Sequence, residues 1–127
     1  MHHNPKFYLC KLCGNLLGLI ENKGGAMTCC GQPVTELVPN TVEASLEKHL
    51  PVASLSGDTL TVNVGSAPHP MGEDHYIGFV FVETENGGQR KYLKIGGEPT
   101  CKFVFTGDKP TAVYAYCNLH GMWKSAL

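Results

Sequence analysis

The chain has almost no net charge: 10 lysines and arginines against 11 acidic residues leave −1. Such a balanced surface gives no reason to expect DNA or an anionic membrane as a partner. No apolar run approaches the about 18 residues of a membrane-spanning helix; Leu16-Leu17-Gly18-Leu19-Ile20 is far too short. The opening residues, Met1-His2-His3-Asn4-Pro5-Lys6, lead into no signal-type hydrophobic stretch, so the cytoplasm is the expected location. An internal repeat and low-complexity tracts are also lacking, and 43% hydrophobic residues exclude a disordered or collagen-like chain. What remains is a chain of 127 residues with 15 glycines, 8 prolines and 6 cysteines. That length makes one domain, or one domain and a small appendage. A piece much below about 40 residues would need metal or disulfides to hold it.

The cysteines divide the chain. Cys10, Cys13, Cys29 and Cys30 lie in the first 30 residues, while Cys101 and Cys117 lie far downstream. All histidines except His2 and His3 fall beyond residue 48. We therefore expect a small metal-bound domain over 1–36, a linker over 37–41 around Pro39-Asn40, and a second domain over 42–127. In the second part, Thr59–Val64 alternates with Leu60, Val62 and Val64 on one face. Segments at Val52–Leu55, Tyr76–Glu83, Arg90–Ile95, Cys101–Thr106 and Ala112–Cys117 are also strand-like, with Asn86-Gly87-Gly88 as a hairpin turn. The expected fold is mainly β, ending in an antiparallel sandwich.

Cys10-x-x-Cys13 with Cys29-Cys30 offers four thiolates from two points of the chain. In a reducing compartment such a set binds metal more often than it forms bridges. Soft sulfur ligands suit tetrahedral Zn or Fe, and the spacing does not choose between them. The adjacent pair departs from the C-x-x-C found at both ends of zinc ribbons.

A second group consists of His49, His69, His75, Cys117 and His120. Each histidine sits in a loop at the end of a predicted strand, and Cys117-x-x-His120-Gly121 places thiolate and imidazole three residues apart. Two readings compete. Cys117-x-x-His120-x-Met122 superficially resembles a blue-copper site, which would make the protein a cupredoxin-like electron carrier with a zinc-ribbon-like first domain. Four imidazoles and one thiolate instead make a five-coordinate centre with one vacancy, suited to chemistry on a small molecule. Cys101, Met27 and Met71 suit packing, Tyr116 and Trp123 suit packing around the site, and His2 and His3 suit a mobile terminus.

In these two motif sets, in this order, the chain resembles desulfoferrodoxin, the two-iron superoxide reductase family, over essentially its whole length. Cys10, Cys13, Cys29 and Cys30 match the desulforedoxin-like domain; Glu47-Lys48-His49, His69, His75 and Cys117-x-x-His120 match the neelaredoxin-like domain. The resemblance implies an immunoglobulin-like sandwich, a cytosolic homodimer, two Fe per chain and a rubredoxin-like electron donor, with Zn an alternative at the first site. It also implies the activity, one-electron reduction of superoxide to hydrogen peroxide without dioxygen release. Four histidines would be equatorial ligands and Cys117 the axial thiolate, with superoxide bound opposite it. Lys48 would attract the anion and organise a proton-donating water, and Glu47 would occupy the vacancy after oxidation. The first site, closed by four ligands, would be structural.

Overall fold

Glycine turns and β-branched or aromatic segments dominate this chain, and strands result almost throughout. The computed structural model describes residues 4–127, so His2 and His3 lie outside the described residues. Two compact units emerge, the first ending at Val38 and the second running from Pro39 to Leu127.

The first unit contains β1 (Lys6–Leu9), β2 (Leu16–Leu19), β3 (Thr28–Cys29), β4 (Gln32–Pro33) and β5 (Thr35–Glu36). They form a three-stranded sheet ordered β2-β1-β5 and a separate β3-β4 ribbon. Phe7 pairs with Gly18 across β1 and β2, and its ring lies 3.8 Å from where a Gly18 side chain would begin. Among the described residues of this unit, Phe7 and Cys10 are the buried apolar groups, while Leu12 and Ile20 are 62% and 91% exposed. So little burial cannot offset the chain entropy lost on folding.

The second unit opens with one helical turn, α1 (Leu46–His49), followed by β6 (Pro51–Ser56), β7 (Thr59–Val64), β8 (Ile77–Thr84) and β9 (Gly87–Tyr92). β10 (Thr100–Val104), β11 (Pro110–Cys117) and β12 (Gly121–Ala126) complete it. Two antiparallel sheets, β10-β7-β6 and β12-β11-β8-β9, give the connectivity of an immunoglobulin-like sandwich. Leu60, Val62 and Val64 from one sheet meet Val80, Val82, Val113 and Ala115 from the other in a continuous core. The strict alternation of β7 follows from its having one core-facing side. β11 is buried almost throughout because it lies between β12 and β8 and carries aromatic pairs outside: Phe79 stacks on Tyr116 at 5.7 Å and Phe81 meets Tyr114 at 6.0 Å.

Two strands differ from the sequence expectation. The β8–β9 turn is Glu85-Asn86, and both glycines lie inside β9, which ends at Tyr92. The Phe81 ring covers Gly88 so closely that a side chain there would overlap it, so glycine serves as a slot rather than a turn. β12 was not expected at all, because Met122 and Trp123 are both buried and give no alternation. Their burial has different causes: Trp123 pairs with core-facing Ala115, and Met122 with outward-facing Tyr116.

Two candidate metal centres

In the first unit, Cys10 and Cys13 flank the turn after β1, where the Gly14 N–H donates to the Cys10 carbonyl at 2.8 Å. Cys30 and Gly31 are the two turn residues between β3 and β4, with φ of 54° and 74°. Positive φ at both positions is the signature of a tight type I′ hairpin turn. In an extended strand neighbouring side chains point to opposite faces. Here the left-handed backbone at Cys30 instead brings its Sγ to 4.0 Å from that of Cys29. Cys13 Sγ lies 3.6 Å from Cys29 Sγ, and all four sulfurs fall within 4.8 Å of one another. Sulfurs bound tetrahedrally at about 2.3 Å would stand about 3.8 Å apart, so the cluster has the dimensions of a tetrahedral four-cysteine metal site. All four cysteines are free thiols, which removes the disulfide reading.

Their proton affinities agree. The backbone N–H of Cys13 lowers Cys10 to about 6, whereas hydrogen bonding with Cys10, then Cys13, pushes Cys29 up to about 12. Cys30 is raised as well, chiefly by Cys13. Four thiolates cannot coexist here near neutral pH unless a cation neutralises them.

The second centre is assembled at one end of the sandwich, from α1 before β6, the loop after β7, the loop before β8 and the β11–β12 hairpin. Each support is local. Gly65 lies against the backbone of α1; a side chain there would stand 2.5 Å from the Glu47 carbonyl and 2.8 Å from that of Leu50. The same Glu47 carbonyl accepts from the Ala67 N–H at 2.9 Å and the Ser66 hydroxyl at 3.2 Å. A β-bulge at Gly78 shifts the register so that Ile77 faces Cys117. Asn118 ties the His75 loop to the Cys117 hairpin, accepting from Tyr76 N–H at 2.9 Å and donating to the Asp74 carbonyl at 3.0 Å. Gly121, at φ 79°, closes the three-residue hairpin loop that carries His120.

The four imidazoles stand around a square. Neighbouring rings are close to perpendicular: His49–His69 at 4.7 Å and 74°, His69–His75 at 4.6 Å and 81°, His75–His120 at 5.2 Å and 79°, and His120–His49 at 4.9 Å and 86°. His49 and His75 face each other across it at 6.3 Å. His49 Nδ1 donates to the Ser45 carbonyl and His69 Nδ1 to the Pro70 carbonyl, both at 2.7 Å. A carbonyl only accepts, so both rings carry Nδ1–H and turn their Nε2 lone pairs inward. Those lone pairs face each other at 3.2 Å, and His120 Nδ1 lies 3.1 Å from His49 Nε2. Nitrogens bound side by side at about 2.1 Å would stand about 3.0 Å apart. His75 Nε2 is buried with no hydrogen-bond partner. Cys117 completes the set, its Sγ accepting from the His120 N–H at 3.4 Å and lying 3.8 Å from His120 Nδ1.

Burial lowers His69 to about 4 and also lowers His49 and His75, so the rings are neutral ligands at pH 7. Burial raises Cys117, partly countered by the N–H groups of Leu119 and His120. Converging lone pairs, an orphaned buried nitrogen and a buried thiol all fit one enclosed cation. Glu47 and Lys48 are exposed on α1 beside this group, and among the described residues neither enters an ion pair. After burial and neighbouring His120, the Lys48 charge also disfavours protonation of His75, so its field reaches the centre.

The copper-like alternative fails on geometry. Met122 pairs with Tyr116, whose side chain lies on the opposite face of the sheet from Cys117. Tyr116, expected to pack around the site, stacks on Phe79 on that outer face instead. Trp123 does pack at the centre, stacked on His49 at 4.8 Å and 28°. Met71 is a core residue, and Cys101 is half-buried against the core, its thiol raised to about 11 by burial. Sequence reasoning missed the supports Gly65, Asn118 and Ser45, which carry no local signal of their own.

An immunoglobulin-like sandwich bearing a centre of four histidines and one cysteine, preceded by a small four-cysteine module, defines a two-centre non-haem metalloprotein. Family models described as desulfoferrodoxin and desulfoferrodoxin, N-terminal domain, match residues 41–126 and 3–37. The chain belongs to the desulfoferrodoxin family. It is 41% identical over 118 residues to a desulfoferrodoxin homolog of Archaeoglobus fulgidus, covering 93% of this chain and 94% of that one. The crystal structure of the superoxide reductase from Treponema pallidum is similar with a TM-score of 0.83 and 35% identity, over 97% of this chain and 99% of that one. A one-iron superoxide reductase from Giardia intestinalis is similar with a TM-score of 0.54 and 34% identity, over 64% of this chain and 97% of its own.

Proposed function

We propose that the second centre reduces superoxide to hydrogen peroxide, consuming one electron and two protons for each superoxide and releasing no dioxygen. The observation that carries this reading is the square of four imidazoles with one buried thiol, five donors that would hold one ion and leave room for a small ligand. A ferrous ion held there supplies the electron and the site for a small anion. The chain supplies the rest. Lys48 places a mobile positive charge beside the centre, on a protein whose net charge is −1, and so draws in the anion locally. Its ammonium donates to a water that hands protons to the reduced oxygen. Glu47, next to it, would supply a carboxylate to the oxidised ion. Cys117, tempered by the His120 N–H, is the electron-rich donor that favours release of the product.

The first centre takes a structural ion, iron in our reading with zinc as the alternative, held by Cys10, Cys13, Cys29 and Cys30. The family supports a cytosolic homodimer and a rubredoxin-like electron donor. Similarity to a protein named as a one-iron enzyme over 64% of this chain supports chemistry confined to the second centre. The test is stoichiometric. With a donor present, we expect one peroxide per superoxide consumed and two irons per chain in distinct spectroscopic environments. Dioxygen evolved in proportion to superoxide would show dismutation and overturn the assignment.

A further inference from the structure

The histidines of the second centre are not held alike. His49 and His69 each have the outer ring nitrogen clamped by a backbone carbonyl at 2.7 Å. His120 faces the centre with Nδ1, the nitrogen nearest its own backbone, so its ring position depends on where that backbone sits. Two side chains hold it: the ligand Cys117, whose Sγ accepts from the His120 N–H at 3.4 Å, and Trp123, whose Nε1–H donates to the His120 carbonyl at 3.2 Å. Trp123 is the only tryptophan in the chain and is 1% exposed. The same indole stacks on His49, rings 4.8 Å apart and 28° from parallel. β12 sets this reach, because Trp123 pairs with Ala115, two residues before Cys117 on β11.

We infer that Trp123 is the positioning residue for His49 and His120, holding one by its ring face and the other by its N–H. It replaces, for His120, the carbonyl clamp that the other two rings have. The inference rests on the reading that these five donors bind one metal ion. Losing a group that orients ligands in this way typically weakens metal retention about 10–100-fold.

The test uses the full chain loaded with Co(II) at both centres, whose absorption bands separate the all-thiolate environment from the mixed imidazole–thiolate one. Trp123→Phe keeps a ring against His49 and removes the N–H. We expect Co(II) to leave its second centre for a chelator about tenfold faster, with a shifted ligand-field band, while the first centre releases at the wild-type rate. Phe103→Leu is the control, since Phe103 is fully buried in the core and outside the ligand set. It should lower the melting temperature without hastening metal release. Equal release from both variants would make Trp123 ordinary core and overturn the inference. Should Trp123→Phe not fold, wild-type fluorescence decides: Trp123 emission should be quenched in step with the imidazole–thiolate band, and quenching that tracks only the all-thiolate band would overturn the inference. A wild-type chain taking up no Co(II) at the second centre would overturn the metal reading and this inference with it. A centre that loads normally but is indifferent to Trp123→Phe overturns the inference alone.

Discussion

The two units solve the same problem in opposite ways. The first has a scant core, Phe7 and Cys10, with Cys13 and Cys30 exposed at its rim. The second packs two sheets around a continuous core and then places its ligands at one end, on α1, two loops and the β11–β12 hairpin. Metal at the first centre would therefore substitute for a hydrophobic core, whereas at the second centre the core stands on its own and a metal would be fitted into it. The difference teaches that the setting of a donor set bears on its role: under the proposed function, four thiols would enclose an ion for structure, and five donors would leave a face open for chemistry.

The largest effect that can break this contrast is loss of the first metal. Structural zinc in small domains contributes apparent free energies of about 10–16 kcal/mol, so Cys13→Ser or chelation should unfold the first unit outright. Hydrogen exchange should show protection lost over residues 6–36 and retained over 42–127, with turnover largely intact. Retained protection in the first unit would mean it folds without metal.

Gly65→Ala tests the opposite claim, that the second centre depends on its scaffold. The added carbon would press on the Glu47 and Leu50 carbonyls, and overpacking of this kind costs about 1–3 kcal/mol. Denaturant melts should show that loss, accompanied by slower superoxide reduction, because α1 carries Lys48 and His49 together. A loss of stability with unchanged rate would uncouple the loop from the site.

Lys48→Ala should leave both melting transitions alone. By pulse radiolysis at low salt, the second-order rate should fall about tenfold and lose most of its salt dependence, since a single exposed charge is screened within about 10 Å at 0.1 M. Unchanged rates at low salt would remove Lys48 from the mechanism.

The smallest effect concerns Asp108, which belongs to the second unit alone. Its carboxylate accepts from the Thr84 hydroxyl at 2.6 Å and from the Asn86 and Lys109 N–H groups at 3.2 and 2.9 Å. The Thr84 hydroxyl, ahead of the two N–H groups, lowers its pKa below 3.8. Folded, it holds its proton less tightly than unfolded. Its contribution is thus complete above pH 3.8 and is lost as pH falls through the depressed value. Asp108→Asn should lower the second melting transition slightly at pH 7, and the gap to wild type should close only as pH falls below 3.8 through the depressed value. A gap that persists at low pH would show that the loss is not electrostatic.

Much of this molecule could be read from residue order. Cys10, Cys13, Cys29 and Cys30 stand in a stretch too short for a core, and Leu60, Val62 and Val64 announce a half-buried strand. Histidines near Pro51, Pro70 and Gly121 marked the second group, although the structure places His49 on α1 rather than in a loop. These signals are local: spacing, alternation and turn chemistry act over a few residues. β12 escaped because Met122 and Trp123 are buried on different faces, one against the outer aromatics and one in the core. The role of Gly88 escaped because only the Phe81 ring explains it.

By itself, then, the sequence determined the donor types, their number and the division into a metal-dependent piece and a self-sufficient sandwich. Only the structure shows which nitrogen His49 and His69 turn inward, because carbonyls of Ser45 and Pro70 claim the other. It also decided how two adjacent cysteines meet one ion, through the left-handed backbone at Cys30. The physical reason is the same in both cases. Ligand identity is carried by a single residue, ligand direction by hydrogen bonds and backbone angles that residue type does not specify, and convergence on one point, as of His120 and His49, only by distant segments packing together.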